Sequence, residues 1–274
     1  MSWLRNWPRR FCEGSLLSLL LGACISRGPA PRGPSASVGQ PPQATHEDLW
    51  ETVLQQKEAW YQEQVRRMGG RVYRLEVTGR YRYTTERYKG TAWLWAGGVV
   101  ATCRHLFPAA PRLEVELWDA QGRCHAAHLI WRDTVADVAF LHSADLIGEG
   151  LGRATGAPLP RIGTPIWTLG APWGLAGTLQ EGFISGEERY LAGETGEKLP
   201  FLQLSLPAQP GSSGSPVFNK RGQVIGMVSE IASASGLYEG ITFAIPVQVL
   251  EQVWARYCSF AAKYDTTGAC TSRK

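Results

Sequence analysis

Gly211-Ser212-Ser213-Gly214-Ser215-Pro216 lies between two apolar, strand-like runs, Leu202 to Leu206 and Val217 to Phe218. Two glycines bracket a pair of serines. This suits a tight turn that presents one hydroxyl and aims backbone N–H groups at a single point, because glycine tolerates unusual dihedrals and lets a substrate approach the backbone. Gly/Ser clusters are usually plain loops. The stretch acquires chemical meaning only if a histidine and a carboxylate stand upstream in suitable contexts.

Both are present. His105 follows the apolar strand Val99 to Arg104, at its end rather than on an exposed face. Asp137 directly precedes the apolar Val138-Ala139-Phe140-Leu141. A carboxylate entering a buried strand must be paired or hydrogen-bonded. Asp137 would accept from one ring N–H of His105, leaving the other nitrogen free to take a proton from Ser213. Asp133 competes for this role, but the polar turn Arg132-Asp133-Thr134 is where a solvated side chain is expected.

The context of these residues is an all-β chain. Among its 274 residues are 31 Gly and 17 Pro, and short apolar runs are broken by turn residues. Tyr73, Leu75 and Val77 alternate with polar residues, as do Leu113, Val115 and Leu117. Gly97-Gly98 joins a hairpin between Trp93–Trp95 and Val99–Thr102, and Asp119 to Gly122 turns the chain before His128 to Trp131. A second set of short runs spans Pro165 to Ala244. Pro246 then opens an amphipathic helix with Val247, Leu250, Val253 and Trp254 on one side. The formal net charge is +4, and no Lys/Arg stripe interleaves with aromatics, so no nucleic-acid partner is expected. The eleven Trp fall on strand-like segments, where core packing is their expected role.

The beginning of the chain is different. Residues 1–23 have a basic start (Arg5, Arg9, Arg10) and an apolar run too short to span a bilayer, as in an export signal. Leu21-Gly22-Ala23-Cys24 resembles a bacterial lipoprotein signal, with Cys24 the residue lipidated; an ordinary cleaved signal is the alternative. Residues 24–46 are rich in Pro, Gly, Ser and Ala and form a flexible tether. Residues 47–70 form a helix with Leu49, Trp50, Val53, Leu54, Trp60, Tyr61 and Val65 on one face, stopped by Gly69-Gly70. Packing on the following domain is the expected use of that face, with self-association as its alternative.

Gly90-Thr91-Ala92-Trp93, Thr102-Cys103-Arg104-His105, Ala136-Asp137-Val138-Ala139 and Gly211 to Pro216 occur in the order His, Asp, Ser. That order resembles chymotrypsin-fold serine proteases. Leu169 to Leu175 before Thr178, and Gly240 to Pro246, are similar to the bacterial HtrA/Deg branch. The resemblance implies a domain over 71–260 made of two six-stranded antiparallel β-barrels, flanked by the N-terminal and C-terminal helices and followed by a tail, 261–274. It implies a serine endopeptidase acting on unfolded or exposed polypeptide, with catalytic His105, Asp137 and Ser213 and an oxyanion hole from the N–H groups of Gly211 and Ser213. The rival expectation is a protease-fold protein with an idle triad, acting as a peptide-binding or chaperone-like module.

Ser212 replaces the aspartate that precedes the nucleophile in digestive members, so activation by a freed N-terminus is not expected. Ser215 stands where the family usually has a second glycine and would add a small side chain near the cleft. Ala208, Gln209 and Pro210, with Ser229 and Glu230, would line the primary substrate pocket. Pro207 to Pro210 contains no carboxylate, which favours small or aliphatic side chains over Lys or Arg. The residues after the final helix are too few for the PDZ domain that follows the protease in many HtrA/Deg members, so substrate capture by that route is not expected.

The expected location is the cell envelope of a bacterium, on a membrane through a lipid at Cys24. Export permits disulfides. Cys258–Cys270 would staple the tail and Cys103–Cys124 would join parts of the first barrel, with free thiols as the alternative. No cofactor or metal is expected: on a strand, Cys124 and His128 share a face while His125 points away.

Overall fold

The computed structural model describes residues 45–192, 197–229 and 241–264. The expected signal, residues 24–44 of the expected tether with Cys24, Glu230 and Cys270 lie outside the described residues. Helix α1 (His46–Met68) leads through a short 3-10 turn, Gly69–Arg71, into twelve strands and a final helix. The strands form two closed antiparallel barrels of six. Strands β1 (Val72–Arg80), β2 (Thr85–Ala96), β3 (Val99–Thr102), β4 (Arg112–Trp118), β5 (Cys124–Arg132) and β6 (Ala139–His142) make the first. Strands β7 (Pro165–Gly170), β8 (Thr178–Ala192), β9 (Lys198–Ser205), β10 (Pro216–Phe218), β11 (Val224–Ser229) and β12 (Thr242–Pro246) make the second.

Alternation sets the inward face. Leu75 and Val77 on β1 are buried while Arg74, Glu76 and Thr78 are half-exposed. The same strand pairs with β2 on one side and β4 on the other, which closes the barrel and leaves no free edge. The second half of β2 departs from alternation: Gly90 to Trp95 are all buried. That run has cover on both faces, from the barrel core on one side and from Ser213, Gly211 and the C-terminal helix on the other.

Helix α2 (Val247–Tyr264) presents the expected face, with Val247, Leu250, Val253 and Trp254 buried. Pro246 does not sit in its first turn. It ends β12, paired with Gly226, and the helix starts one residue later. Helix α1 meets expectation only in its second half. Trp60 and Tyr61 place ring edges on Trp167 (5.8 and 6.2 Å), and Trp167 stacks on Phe218 at 4.2 Å. Leu49, Trp50, Val53 and Leu54 are more than half exposed. Periodicity identified the apolar face but not how much of its length the domain covers.

The turn before β5 is built on Asp119. This buried carboxylate accepts from the N–H of Gln121 and Arg123 (both 2.9 Å) and from Arg123 Nε (2.7 Å). Burial pushes its carboxyl up, but the hydrogen bonds from Arg123, His125 and Gln121 outweigh this and hold it below the ordinary aspartate range. A depressed folded-state value stabilises the fold above the unfolded-chain value and loses that stability as pH falls through the folded one. Asp119→Asn is therefore expected to flatten the acid limb of the melting-temperature profile below about pH 4. An unchanged limb would remove Asp119 from that role.

The cysteines divide. Cys103 and Cys124 are both thiols and form no bridge, contrary to the expected Cys103–Cys124 pairing. Cys103 is buried at the end of β3, whose neighbours are β2 and β6, whereas exposed Cys124 opens β5 opposite Trp118 of β4. Cys258 is disulfide-bonded.

Candidate active site

Strand ends deliver the candidate residues to one place. β3 ends at Thr102, and the 3-10 turn Arg104–Leu106 swings His105 out of the sheet. Asp137 stands just before β6, the strand that pairs with β3. Its main-chain carbonyl accepts from Arg104 N–H at 3.3 Å, which keeps the two segments in register. Ser213 comes from the second barrel, in the turn between β9 and β10. Its carbonyl accepts from Thr91 N–H of β2 at 2.8 Å, tying the turn to the first barrel.

The side chains form one hydrogen-bonded series. Asp137 Oδ2 lies 2.8 Å from His105 Nδ1, and His105 Nε2 lies 3.1 Å from Ser213 Oγ. Asp137 Oδ1 accepts from His105 N–H at 2.9 Å, so the carboxylate fixes both the ring and the backbone that carries it. An acceptor facing Nδ1 places the proton there and leaves Nε2 as the unprotonated nitrogen facing the serine. Ser229 Oγ also donates to Asp137 Oδ2, at 2.8 Å. The carboxylate is thus buried with three donors around it, which take the place of bulk water.

Asp133 differs from its expected solvated state. It is buried, accepts from the N–H groups of Val135 (3.0 Å) and Ala136 (2.7 Å), and receives Arg256 Nη2 of α2 at 2.8 Å. It shapes the turn leading to Asp137 and does not meet the histidine.

The turn that carries Ser213 has a specific backbone pattern. In a trans peptide the C=O and the following N–H point in opposite directions. Pro210 O accepts from Trp173 N–H at 2.7 Å, which turns Gly211 N–H the other way. Ser212 O accepts from Ser215 N–H at 2.9 Å, which does the same for Ser213 N–H. Between them, Ser212 N–H is occupied by Gln209 O at 2.7 Å. Among the described residues, no acceptor engages the N–H of Gly211 or of Ser213. Gly211 adopts φ +97°, in the region that favours glycine, and a Cβ there would lie 2.5 Å from Ala171 O.

The expected pocket residues are only partly gathered. Ala208 and Gln209 are half-buried beside the turn, and Pro210 is exposed. Ala208 packs against the core of the second barrel. The side chain of Ser229 turns to Asp137 instead of forming a pocket wall. Among the described residues, Cys103, His105 and Asp137 are the one group whose ligand atoms could meet a metal, yet His105 and Asp137 already engage each other and the Cys103 thiol donates to Val228 O at 3.2 Å. Two contributions were not foreseen. Ser229 was expected in the pocket wall, and nothing in its apolar strand signals a bond to Asp137. Trp173, with φ +54° and well exposed, takes a backbone conformation that costs on the order of 1–3 kcal/mol and supplies the N–H that orients Pro210.

The chain is 34% identical over 154 residues to a protein of Hahella chejuensis described as a probable periplasmic serine endoprotease, DegP-like, covering 56% of this chain and 31% of the relative. It is likewise 34% identical over 160 residues to one of the same description from Pseudomonas fluorescens, covering 58% and 32%. The chain thus spans about a third of the length of the curated relatives it matches. Among solved structures, the HtrA-type protease AlgW with a tripeptide superposes with TM-score 0.60 at 30% identity, over 71% of this chain and 62% of that one. AlgW with a decapeptide gives 0.59 at 26%, over 73% and 67%. The family of trypsin-like peptidase domains matches residues 90–227, half of the sequence, and the chain belongs to that family.

Proposed function

We propose that this protein is a serine endopeptidase that cleaves unfolded or exposed polypeptide segments outside the cytoplasm. The observation that carries the reading is the series Asp137–His105–Ser213 beside two N–H groups that no acceptor engages among the described residues. Ser213 Oγ attacks the peptide carbonyl carbon and its proton passes to His105 Nε2. Asp137 holds the Nδ1 proton and stabilises the imidazolium. The carbonyl oxygen, now an oxyanion, sits between the N–H groups of Gly211 and Ser213; losing one such donor costs about 3 kcal/mol. The C–N bond breaks as His105 returns the proton to the leaving amine. Water then attacks the acyl-enzyme carbonyl and gives a proton to His105; the bond to Ser213 Oγ breaks as His105 passes that proton to Oγ, which frees the carboxylic acid product and restores Ser213.

Periplasmic, DegP-like relatives support export. We place the protein on a membrane through a lipid at Cys24, with a role in envelope protein quality control. Mass spectrometry of the mature N-terminus tests the anchor, and an unmodified Cys24 sinks it. The absence of a carboxylate from Pro207 to Pro210 supports a preference for small or aliphatic residues before the cleaved bond.

The decisive test of the enzyme is fluorophosphonate labelling of the folded, full-length chain with Ser213→Ala as the blank. Wild type is expected to label and to degrade an unfolded protein substrate. Correctly folded wild type that does neither would leave a peptide-binding module with an idle site.

A further inference from the structure

Thr91 is buried in the middle of β2, on the first barrel, with its side chain against the nucleophile turn of the second. A hydroxyl has one proton and two lone pairs, and all three are used here. Thr91 Oγ1 donates to Gly211 O at 2.9 Å, accepts from Ala171 N–H at 2.9 Å and accepts from Ser215 Oγ at 3.1 Å. The backbone of the same residue donates to Ser213 O (2.8 Å) and accepts from Thr102 Oγ1 (2.7 Å). Ser215 is almost wholly buried and points at Thr91, not into the cleft where a small extra side chain was expected. Gly170 makes room for the pair: a Cβ there would lie 2.2 Å from Ser215 Oγ and 3.2 Å from Thr91 Oγ1.

These bonds complete the backbone pattern of the nucleophile turn. The carbonyls of Pro210, Gly211 and Ser212 are three in succession. The outer two are fixed by Trp173 N–H and Ser215 N–H; the middle one has the hydroxyl of Thr91. With the Gly211 carbonyl held to the first barrel, the peptide planes on either side keep Gly211 N–H and Ser213 N–H facing the same space. Ala171 N–H on the same hydroxyl brings in the segment that supplies Trp173 N–H. One oxygen atom therefore joins β2, the 171–173 turn and the nucleophile turn.

We infer that Thr91, held by Ser215, is a positioning residue for the oxyanion hole, acting across the barrel interface through the Gly211 carbonyl. The inference rests on the endopeptidase reading above. Thr91→Val keeps shape and both backbone bonds but removes the hydroxyl. It is expected to lower kcat on a peptide amide about 30-fold with KM within about threefold, because the lost contact serves the transition state and not the bound substrate. Affinity for a peptide boronate, which mimics the tetrahedral species, should fall in parallel, while affinity for a cleaved product peptide should not. Thr91→Ser, which restores the hydroxyl, should recover to within about fivefold of wild type, and Ser215→Ala, which removes one of three bonds, should lie between.

Amide hydrogen exchange across 170–175 and 208–215 measures the clamp without turnover. It should rise in Thr91→Val, less in Ser215→Ala, and stay near wild type in Thr91→Ser. A kcat within twofold of wild type for Thr91→Val, or an equal loss in Thr91→Ser, overturns the positioning role, as does unchanged exchange. Should Thr91→Val fail to fold, the order wild type, Thr91→Ser, Ser215→Ala in boronate affinity still decides it. Wild type that neither labels with fluorophosphonate nor turns over, yet shows the expected exchange pattern in the variants, breaks the endopeptidase reading and leaves the clamp standing.

Discussion

Asp137→Asn is expected to lower kcat about ten-thousandfold while leaving the fold intact, by the behaviour of this carboxylate in serine proteases generally. The geometry says why. Asp137 Oδ1 accepts from the backbone N–H of His105, so in the variant the amide oxygen keeps that place. The NH2 group then occupies the position of Oδ2, facing His105 Nδ1 and Ser229 Oγ. A donor facing Nδ1 selects the tautomer with the proton on Nε2, the nitrogen 3.1 Å from Ser213 Oγ. The base is lost although no heavy atom need move. Single-turnover hydrolysis of a peptide amide, with a thermal melt on the same sample, checks this. A variant within tenfold of wild type would mean that another group orients His105.

Gly214→Ala should have the largest effect on stability. Gly214 adopts φ +90°, and a Cβ there would sit 2.0 Å from Thr91 O and 2.7 Å from Thr102 Oγ1. Strain in the backbone and overpacking against a fixed strand each cost on the order of 1–3 kcal/mol, so about 4 kcal/mol together is expected. For a domain of this size that is about 10 °C in melting temperature. The clash falls where the two barrels meet, so activity should vanish with the displaced turn. Gly152→Ala is the control: nothing lies within 4 Å of its Cβ position, and no change is expected. Equal melting temperatures for the two variants would mean that the interface yields easily.

Much of this was legible in the sequence for local reasons. Alternation at Leu113, Val115 and Leu117 gives a strand whatever surrounds it, and a carboxylate entering Val138 to Leu141 had to find a partner. What failed to show were relations between distant segments. The bonds of the Asp133 carboxylate to Val135 and Ala136 N–H are local and could have been anticipated in a turn aspartate; its bond to Arg256, 123 residues away, could not. The bonds of Thr91 reach 80, 120 and 124 residues along the chain. Expected export permitted a bridge, but only strand order says that Cys103 and Cys124 lie at non-neighbouring strands. In α1, a face was legible but the reach of the surface beneath it was not.

Helix α2 follows the second barrel in sequence yet lays its rings on the first. Trp254 meets Trp95 and Phe140 at 5.9 and 5.0 Å, Tyr257 meets Trp131 at 5.8 Å, and Arg256 reaches Asp133. A ribosome makes the first barrel early and α2 more than a hundred residues later, so that cover arrives after all the described strands have been made. Until then the nascent chain exposes a patch of indole and phenyl rings that other nascent chains or chaperones can reach. The turn that carries Asp137 is braced by the same late helix through Asp133. Translation thus imposes an order in which the turn that carries Asp137 receives its brace from α2 only after both described barrels have been made.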